Sequence, residues 1–261
     1  MTGPMTGPML RVEDLVCRFG GLTAIAHLTF DVGVGQIKAV IGPNGAGKTT
    51  LFNVIAGITR PGEGQIWFDG ERLNRLAPFQ RAARGIARTF QNLQIFREMS
   101  VLENVMVGRH LHGSAGLAQT LLRGTTLRHE ERAIAEAAMD LLERFGLADK
   151  ARLQAGALGF GQMKMLELAR ALASEPRLLL LDEPAAGLPR SETDRMAEII
   201  ATLNRGGMTV LLVEHNMRMV MSLAHEILVL NNGSRIAEGS ADEVRRQPEV
   251  IAAYLGEGAD A

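Results

Sequence analysis

From Gly42 to Thr50 the chain reads GPNGAGKTT, and these residue types at this spacing can bind phosphate. Gly42, then four residues, then Gly47-Lys48-Thr49 is the pattern of a phosphate-binding loop. A phosphate needs many donors and little crowding. Gly42, Gly45 and Gly47 let successive backbone N–H groups turn inward without a Cβ in the way, while Pro43, Asn44 and Ala46 complete the loop. Lys48 brings a mobile positive charge to the outer phosphates, and the Thr49 hydroxyl, followed by Thr50, can ligate Mg²⁺. The loop follows the short apolar run QIKAVI (36–41). It opens a helix marked by Leu51, Val54, Ile55 and Ile58, so the helix N-terminus faces the anion.

Five other places carry chemistry. Leu178–Leu181 is a continuous apolar run that ends in Asp182-Glu183, the pattern of a central parallel strand covered on both faces. Carboxylates at its carboxyl edge can hold Mg²⁺ through water and polarise an attacking water; an acidic helix start is the local alternative. Thr209–Val213 is a second buried run, ending in Glu214-His215, which sets His215 at a strand's carboxyl end where a catalytic side chain would stand. Gln91 follows Phe90 at the end of a short strand predicted over 86–90, where an amide can reach a metal or a water. Leu158-Gly159-Phe160-Gly161-Gln162 opens a helix with its backbone donors uncovered. It reads as a second anion site or as an ordinary capped helix. Phe19, just before Gly20-Gly21, can stack on a flat ligand or pack against a sheet edge.

Composition limits what these groups serve. At 261 residues the chain can bury a large core, and 46% hydrophobic with 22% charged residues is an ordinary globular balance. A net charge of −1 leaves no basic stripe for a nucleic-acid backbone. The single cysteine, Cys17, excludes a disulfide framework and fits a reducing compartment. No apolar run approaches the roughly 18–20 residues that cross a bilayer. The start does not resemble a signal peptide, and the duplicated MTGP (1–8) reads as a disordered leader or a start-site ambiguity rather than a functional repeat. The expectation is a cytosolic phosphate-binding protein without nucleic acid as partner.

The elements that position these residues follow in order. Residues 10–40 alternate loosely between glycine turns and predict short antiparallel strands. A hairpin between Pro61 and Leu73 should face Ile66 and Phe68 inward. A basic helix follows, with Arg81, Arg84 and Arg88 expected on a solvated face. Residues 100–146 change to helix, best marked over 130–145 by Ile134, Ala137, Ala138, Leu141, Leu142 and Phe145, with Gly113–Gly124 as a loop. Met165, Leu166, Ala169, Leu172 and Ala173 stripe the helix after Gln162, and Met196, Ile199, Ile200 and Leu203 another. Met217, Met219 and Met221 are expected to pack. Glu226–Leu230, Asn232-Gly233 and Arg235–Glu238 read as a closing hairpin.

Taken together and in this order, these pieces resemble the nucleotide-binding subunit of an ABC transporter, over about residues 10–256. RFGGLTAI, ARTFQNLQIF, DEPAAGL, LLVEHNM and PEVIAAYLGE are similar to the LivG-like branch of branched-chain amino acid importers. The resemblance implies an α/β P-loop NTPase (RecA-like) core with an N-terminal antiparallel β subdomain and an inserted α-helical subdomain. Its expected division is a leader (1–9), a core (10–91 and 158–240), a helical insert (92–157) and a tail (241–261). It implies that Phe19 stacks on adenine, Gly42–Thr50 is the Walker A loop and Gln91 the Q-loop residue. Leu158, Gly159, Phe160, Gly161 and Gln162 become the signature that binds ATP in trans. Thr49, Gln91 and Asp182 hold Mg²⁺, Glu183 is the general base, and His215 is the switch histidine. The implied partners are a second ATPase subunit, with a heterodimer favoured over a homodimer, and two membrane permeases, with a periplasmic binding protein acting indirectly. The implied location is the cytoplasmic face of the inner membrane. Alternatives within the superfamily are lipopolysaccharide export or a soluble non-transport ATPase. Two residues depart from the pattern: Gly159 replaces the usual signature serine, and Pro189 stands where the D-loop carries Asp or Asn.

Overall fold

The computed structural model describes residues 7–109 and 125–255, so the first six residues of the expected leader (1–9), the loop at 113–124 and the last residues of the tail lie outside the described residues. The chain divides into two compact units, one built from residues up to Arg81 together with those from Arg177 onward, the other from Ala82–Pro176.

The first unit opens with two long strands, β1 (Leu10–Phe19) and β2 (Leu22–Val32), which pair antiparallel around Gly20-Gly21. They are longer than the short strands expected. The pairing shifts register between Val12 and Leu15 and again at Cys17, and such bulges break the alternation by which a strand is read. β3 (Ile37–Ile41) is buried throughout and runs into the glycine loop, after which α1 spans Lys48–Ala56. β4 (Glu63–Phe68) and β5 (Glu71–Arg72) form the predicted hairpin, with Ile66 and Phe68 buried, and complete a sheet of order β2-β1-β4-β5.

α2 (Pro78–Ala82) corrects one expectation. Arg81 does not lie on a solvated face: it is 2% exposed. Its guanidinium donates to the Val54 and Ile55 carbonyls at 2.7 and 2.8 Å, to Leu73 at 2.8 Å and to Leu76 at 3.1 Å. It therefore caps the C-terminal end of α1, where the helix exposes carbonyl oxygens and the negative end of its dipole. Burial pushes its pKa down to about 10, so the group is still a cation at neutral pH.

The second unit holds β6 (Ile86–Arg88), α3 (Val101–Arg109), α4 (Thr125–Phe145) and α5 (Phe160–Ala173). Ala138, Leu142 and Phe145 of α4 are buried, as are Met165, Leu166, Ala169, Leu172 and Ala173 of α5. β6 stops at Arg88, two residues short of the predicted strand end.

The first unit resumes with β7 (Leu178–Asp182), α6 (Arg190–Arg205), β8 (Thr209–Val213), α7 (Met217–Leu223), β9 (Glu226–Asn231), β10 (Ser234–Gly239), α8 (Ala241–Val244) and α9 (Pro248–Leu255). Within this unit the order β10-β9-β3-β8-β7 makes a second sheet. β3 runs parallel to both β8 and β9, and β7 parallel to β8, whereas β10 closes an antiparallel hairpin. Every residue of β3, β7 and β8 is buried, as continuous apolar runs require when a sheet is covered on both faces. Lys38 in β3 is tolerated because its ammonium meets Glu226 at 3.0 Å, Glu238, and the Asp31 carbonyl at 2.6 Å. Met219 is buried, and Met217 and Met221 pack against the core around Val220 and Val229. Among the described residues no helix is long and apolar enough to cross a membrane.

Candidate active site

Because β3, β8 and β7 are parallel neighbours, the segments that leave their carboxyl ends emerge on one edge of the sheet, where open α/β sheets bind ligands. The glycine loop leaves β3, Glu214-His215 leaves β8, and β7 ends in Asp182 with Glu183 next. The topology therefore brings together, within the first unit, most of the residues singled out from the sequence.

The loop is shaped by its neighbours. Gly47 has φ +100° and Gly42 φ +151°; a side chain at Gly47 would run into the Ala24 carbonyl of β2, and one at Gly42 into the Leu230 carbonyl of β9. Only glycine fits either position. The β9–β10 turn, with Asn232 and Gly233 both at positive φ, donates the Gly233 N–H to the Ala46 carbonyl at 3.1 Å and accepts the Ala26 N–H at 2.9 Å. The loop is thus pinned between β2 and that turn. Lys48 is 6% exposed, its ammonium 2.7 Å from the Gly42 carbonyl and 2.8 Å from that of Pro43. A buried cation in a ring of backbone groups at a helix N-terminus is a cradle for phosphate oxygens.

Asp182 is 2% exposed, whereas Thr49 is exposed at the start of α1. A hydroxyl and a carboxylate are hard oxygen donors that suit Mg²⁺. Among the described residues no group of three or more His, Cys, Asp and Glu forms a metal cage. That donor set fits an ion that keeps its waters and shares phosphate oxygens.

Glu183 has φ +50°, a costly conformation for a residue with a side chain. Its N–H donates to the Val213 carbonyl at 2.9 Å, and its Oε1 lies 3.0 Å from His215 Nε2. The Glu183 side chain is 16% exposed and that of His215 45%. A half-shielded carboxylate beside an imidazole that reaches solvent can accept a proton from water. Phe19, 50% exposed, ends β1 at the hairpin tip, and Pro189 is the exposed residue before α6.

Gln91 and the 158–162 segment belong to the second unit. Gln91 is exposed in a bend after β6. Gly159 precedes α5 with an extended backbone, and the Gln162 Oε1 accepts its N–H at 3.2 Å. Leu158 and Gly161 are buried, while Phe160 is 49% exposed with the Lys164 ammonium 5.9 Å from its ring centroid.

Two buried acids escaped the sequence reading. Glu167 of α5 is 3% exposed and accepts the N–H groups of Phe90 at 3.4 Å and Gln94 at 3.2 Å, on either side of Gln91. Burial raises its pKa, opposed by those N–H groups, Lys164 and Arg170. Protonation is thus favoured in the folded state: this contribution to stability is fully present below the ordinary value of 4.5 and is lost as pH rises through the higher folded value. Glu167→Gln should flatten that slope. Melting curves of the two chains at a series of pH values above 4.5 should converge at the acid end and separate in the variant's favour as pH rises; parallel curves would refute this. The other acid is Glu214, 3% exposed. The signal for it was an acidic residue directly after the apolar run Val210–Val213.

Known proteins resemble this chain over nearly its whole length. The family model described as ABC transporter matches residues 25–186, and that described as branched-chain amino acid ATP-binding cassette transporter matches 234–260. The chain is 43% identical to the high-affinity branched-chain amino acid transport ATP-binding protein BraF of Pseudomonas aeruginosa, over 97% of this chain and 100% of that protein. It is 42% identical, with the same coverage, to the corresponding protein LivG of Escherichia coli K12. A crystal structure of the ADP conformation of MJ1267, an ATP-binding cassette of an ABC transporter, superposes with a TM-score of 0.82 at 33% identity, covering 96% of this chain and 100% of that one.

Proposed function

Because the chain belongs to the ABC transporter family of ATP-binding cassettes, an ATPase family that uses Mg²⁺, we propose that it powers an importer of branched-chain amino acids. The observation that carries the substrate class is the match of residues 234–260 to the branched-chain family model. It lies outside the residues 25–186 that the general family model matches.

In this reading the chain works at the cytoplasmic face of the inner membrane beneath two separate permeases. It is paired with a second, different ATPase subunit and served indirectly by a periplasmic binding protein. Phe19 stacks on adenine. The Gly42–Thr50 amides and Lys48 hold the phosphates, and Thr49 and Asp182 would be the donors for Mg²⁺. When bound, the ion supplies positive charge to the phosphate oxygens. Glu183 takes the proton from the attacking water, and His215 orients Glu183 and meets the γ-phosphate. Most of the rate comes from positioning and charge stabilisation. The Leu158–Gln162 segment completes the ATP site of the partner subunit, with the N-terminus of α5 facing the phosphate where the usual serine hydroxyl is missing.

Cells lacking this chain should lose uptake of radiolabelled leucine, isoleucine or valine. Uptake should return with the wild-type chain and not with Glu183→Gln, and a tagged chain should co-purify with two permeases and a second ATPase. Normal uptake in the deletion strain would overturn the substrate class, and co-purification with ribosomes or DNA would overturn the transport role.

A further inference from the structure

The strand that delivers His215 ends in a carboxylate that faces inward. Glu214 follows the fully buried strand Thr209–Val213, is 3% exposed, and lies one residue from a side chain at the surface. Burying a charge there would be costly unless its oxygens were satisfied. They are. Oε1 accepts the Ala185 N–H at 2.8 Å, and Oε2 accepts the N–H groups of His215 at 2.9 Å and Asn216 at 3.1 Å.

Those three N–H groups belong to two different segments. Ala185 is two residues after Glu183, on the turn leaving β7. His215 and Asn216 begin the turn leaving β8. Beyond the last rung of the parallel ladder, where the Glu183 N–H meets the Val213 carbonyl, no further strand pairing can hold the two segments in register. Glu214 continues the connection with its side chain. We infer that Glu214 is a positioning residue that fixes the separation of Glu183 and His215, and so the hydrolytic geometry, by clamping both of their backbones with one carboxylate.

A carboxylate suits this role because it has two acceptor oxygens and no donor, and its three partners are N–H groups. Asparagine is too short to span the two turns, and glutamine would keep only one of the two oxygens. The strained φ of Glu183 makes the clamp more consequential: a residue held at +50° persists only while its surroundings over-determine it.

The inference rests on Glu183 and His215 acting in hydrolysis, and the test separates the two claims. Steady-state ATP hydrolysis and equilibrium binding of a fluorescent ATP analogue are measured on the full chain carrying Glu214→Ala, Glu214→Gln, His215→Ala and the double variant Glu214→Ala/His215→Ala, with Glu183→Gln as reference. Glu214→Ala should lower kcat by roughly 10–100-fold, the scale of a misplaced catalytic pair, with analogue affinity unchanged. Glu214→Gln should fall between it and wild type. His215→Ala should cost much less in the Glu214→Ala background than alone, because both changes undo the same arrangement. If Glu214→Ala does not fold, the glutamine variant alone, combined with His215→Ala, gives the same comparison. Wild-type kcat in the Glu214 variants, or losses that simply multiply in the double variant, would overturn the positioning role while an inactive Glu183→Gln keeps the reading of the site. Normal turnover by Glu183→Gln would sink the reading of the site, and the positioning role with it.

Discussion

Glu183→Gln should reduce ATP turnover by about 10²–10⁴-fold, the contribution expected of a general base, and leave ATP binding intact. The amide has the same shape and can still face His215 Nε2, 3.0 Å away in the wild type, but it cannot take a proton from water. Lys48, Thr49 and the loop amides, proposed to carry the binding, leave a different strand of the same sheet. The loss should therefore appear in kcat and kcat/KM together, the pattern of an interaction made only in the transition state. Single-turnover hydrolysis and binding of a fluorescent ATP analogue measure the two halves of the statement. Near-normal turnover would remove Glu183 from the role of base, and lost binding would mean that the substitution disturbs the phosphate loop instead.

Arg81→Ala should destabilise the protein by about 3–4 kcal/mol. Leaving even two or three buried acceptors without a donor costs on that scale, and the side chain reaches four carbonyls. For a chain of this size the midpoint of thermal unfolding should fall by roughly 10 °C. Arg81→Lys should recover little, because a point charge on a flexible stem cannot reproduce the planar fork that meets carbonyls in several directions. Gly57 leaves no slack either, since a Cβ there would lie 2.8 Å from the Arg81 Nε. The substitution acts at the C-terminal end of α1, so it should weaken nucleotide affinity only through the helix. Scanning calorimetry checks the main claim. A shift of under about 2 °C would show that water replaces the guanidinium at no cost.

These two residues mark the boundary of what the sequence discloses. The phosphate loop and the strand ending in Asp182-Glu183 were legible because local chemistry and local structure agree there: glycines at fixed spacing, then a helix; an unbroken apolar run, then acids. β7 and β8 fall where the apolar runs put them, and Ile66 and Phe68 face inward as alternation requires. Arg81 was not legible. Its burial depends on carbonyls at Val54, Ile55, Leu73 and Leu76, which converge only in three dimensions, and a basic residue on a short helix otherwise reads as solvated. Glu167 was missed for the same reason, because its partners are backbone N–H groups of another segment, and the role of Glu214 depends on the distant Ala185 N–H as much as on its own neighbours His215 and Asn216. β1 and β2 were read as shorter than they are because bulges interrupt their alternation.

The pinning of the glycine loop has a consequence for how the molecule is made. The loop is written into the first fifth of the chain, yet its walls include Leu230 and Gly233, and both strands that flank β3 come from beyond residue 208. On the ribosome, at about 5–20 residues per second, β3 leaves the exit tunnel with neither edge paired, an apolar segment awaiting partners that have not been synthesised. Its pairing is long-range and correspondingly slow to form. The nascent polypeptide therefore carries its most recognisable motif without the means to shape it, and nucleotide can begin to act as a folding ligand only once the closing hairpin has emerged.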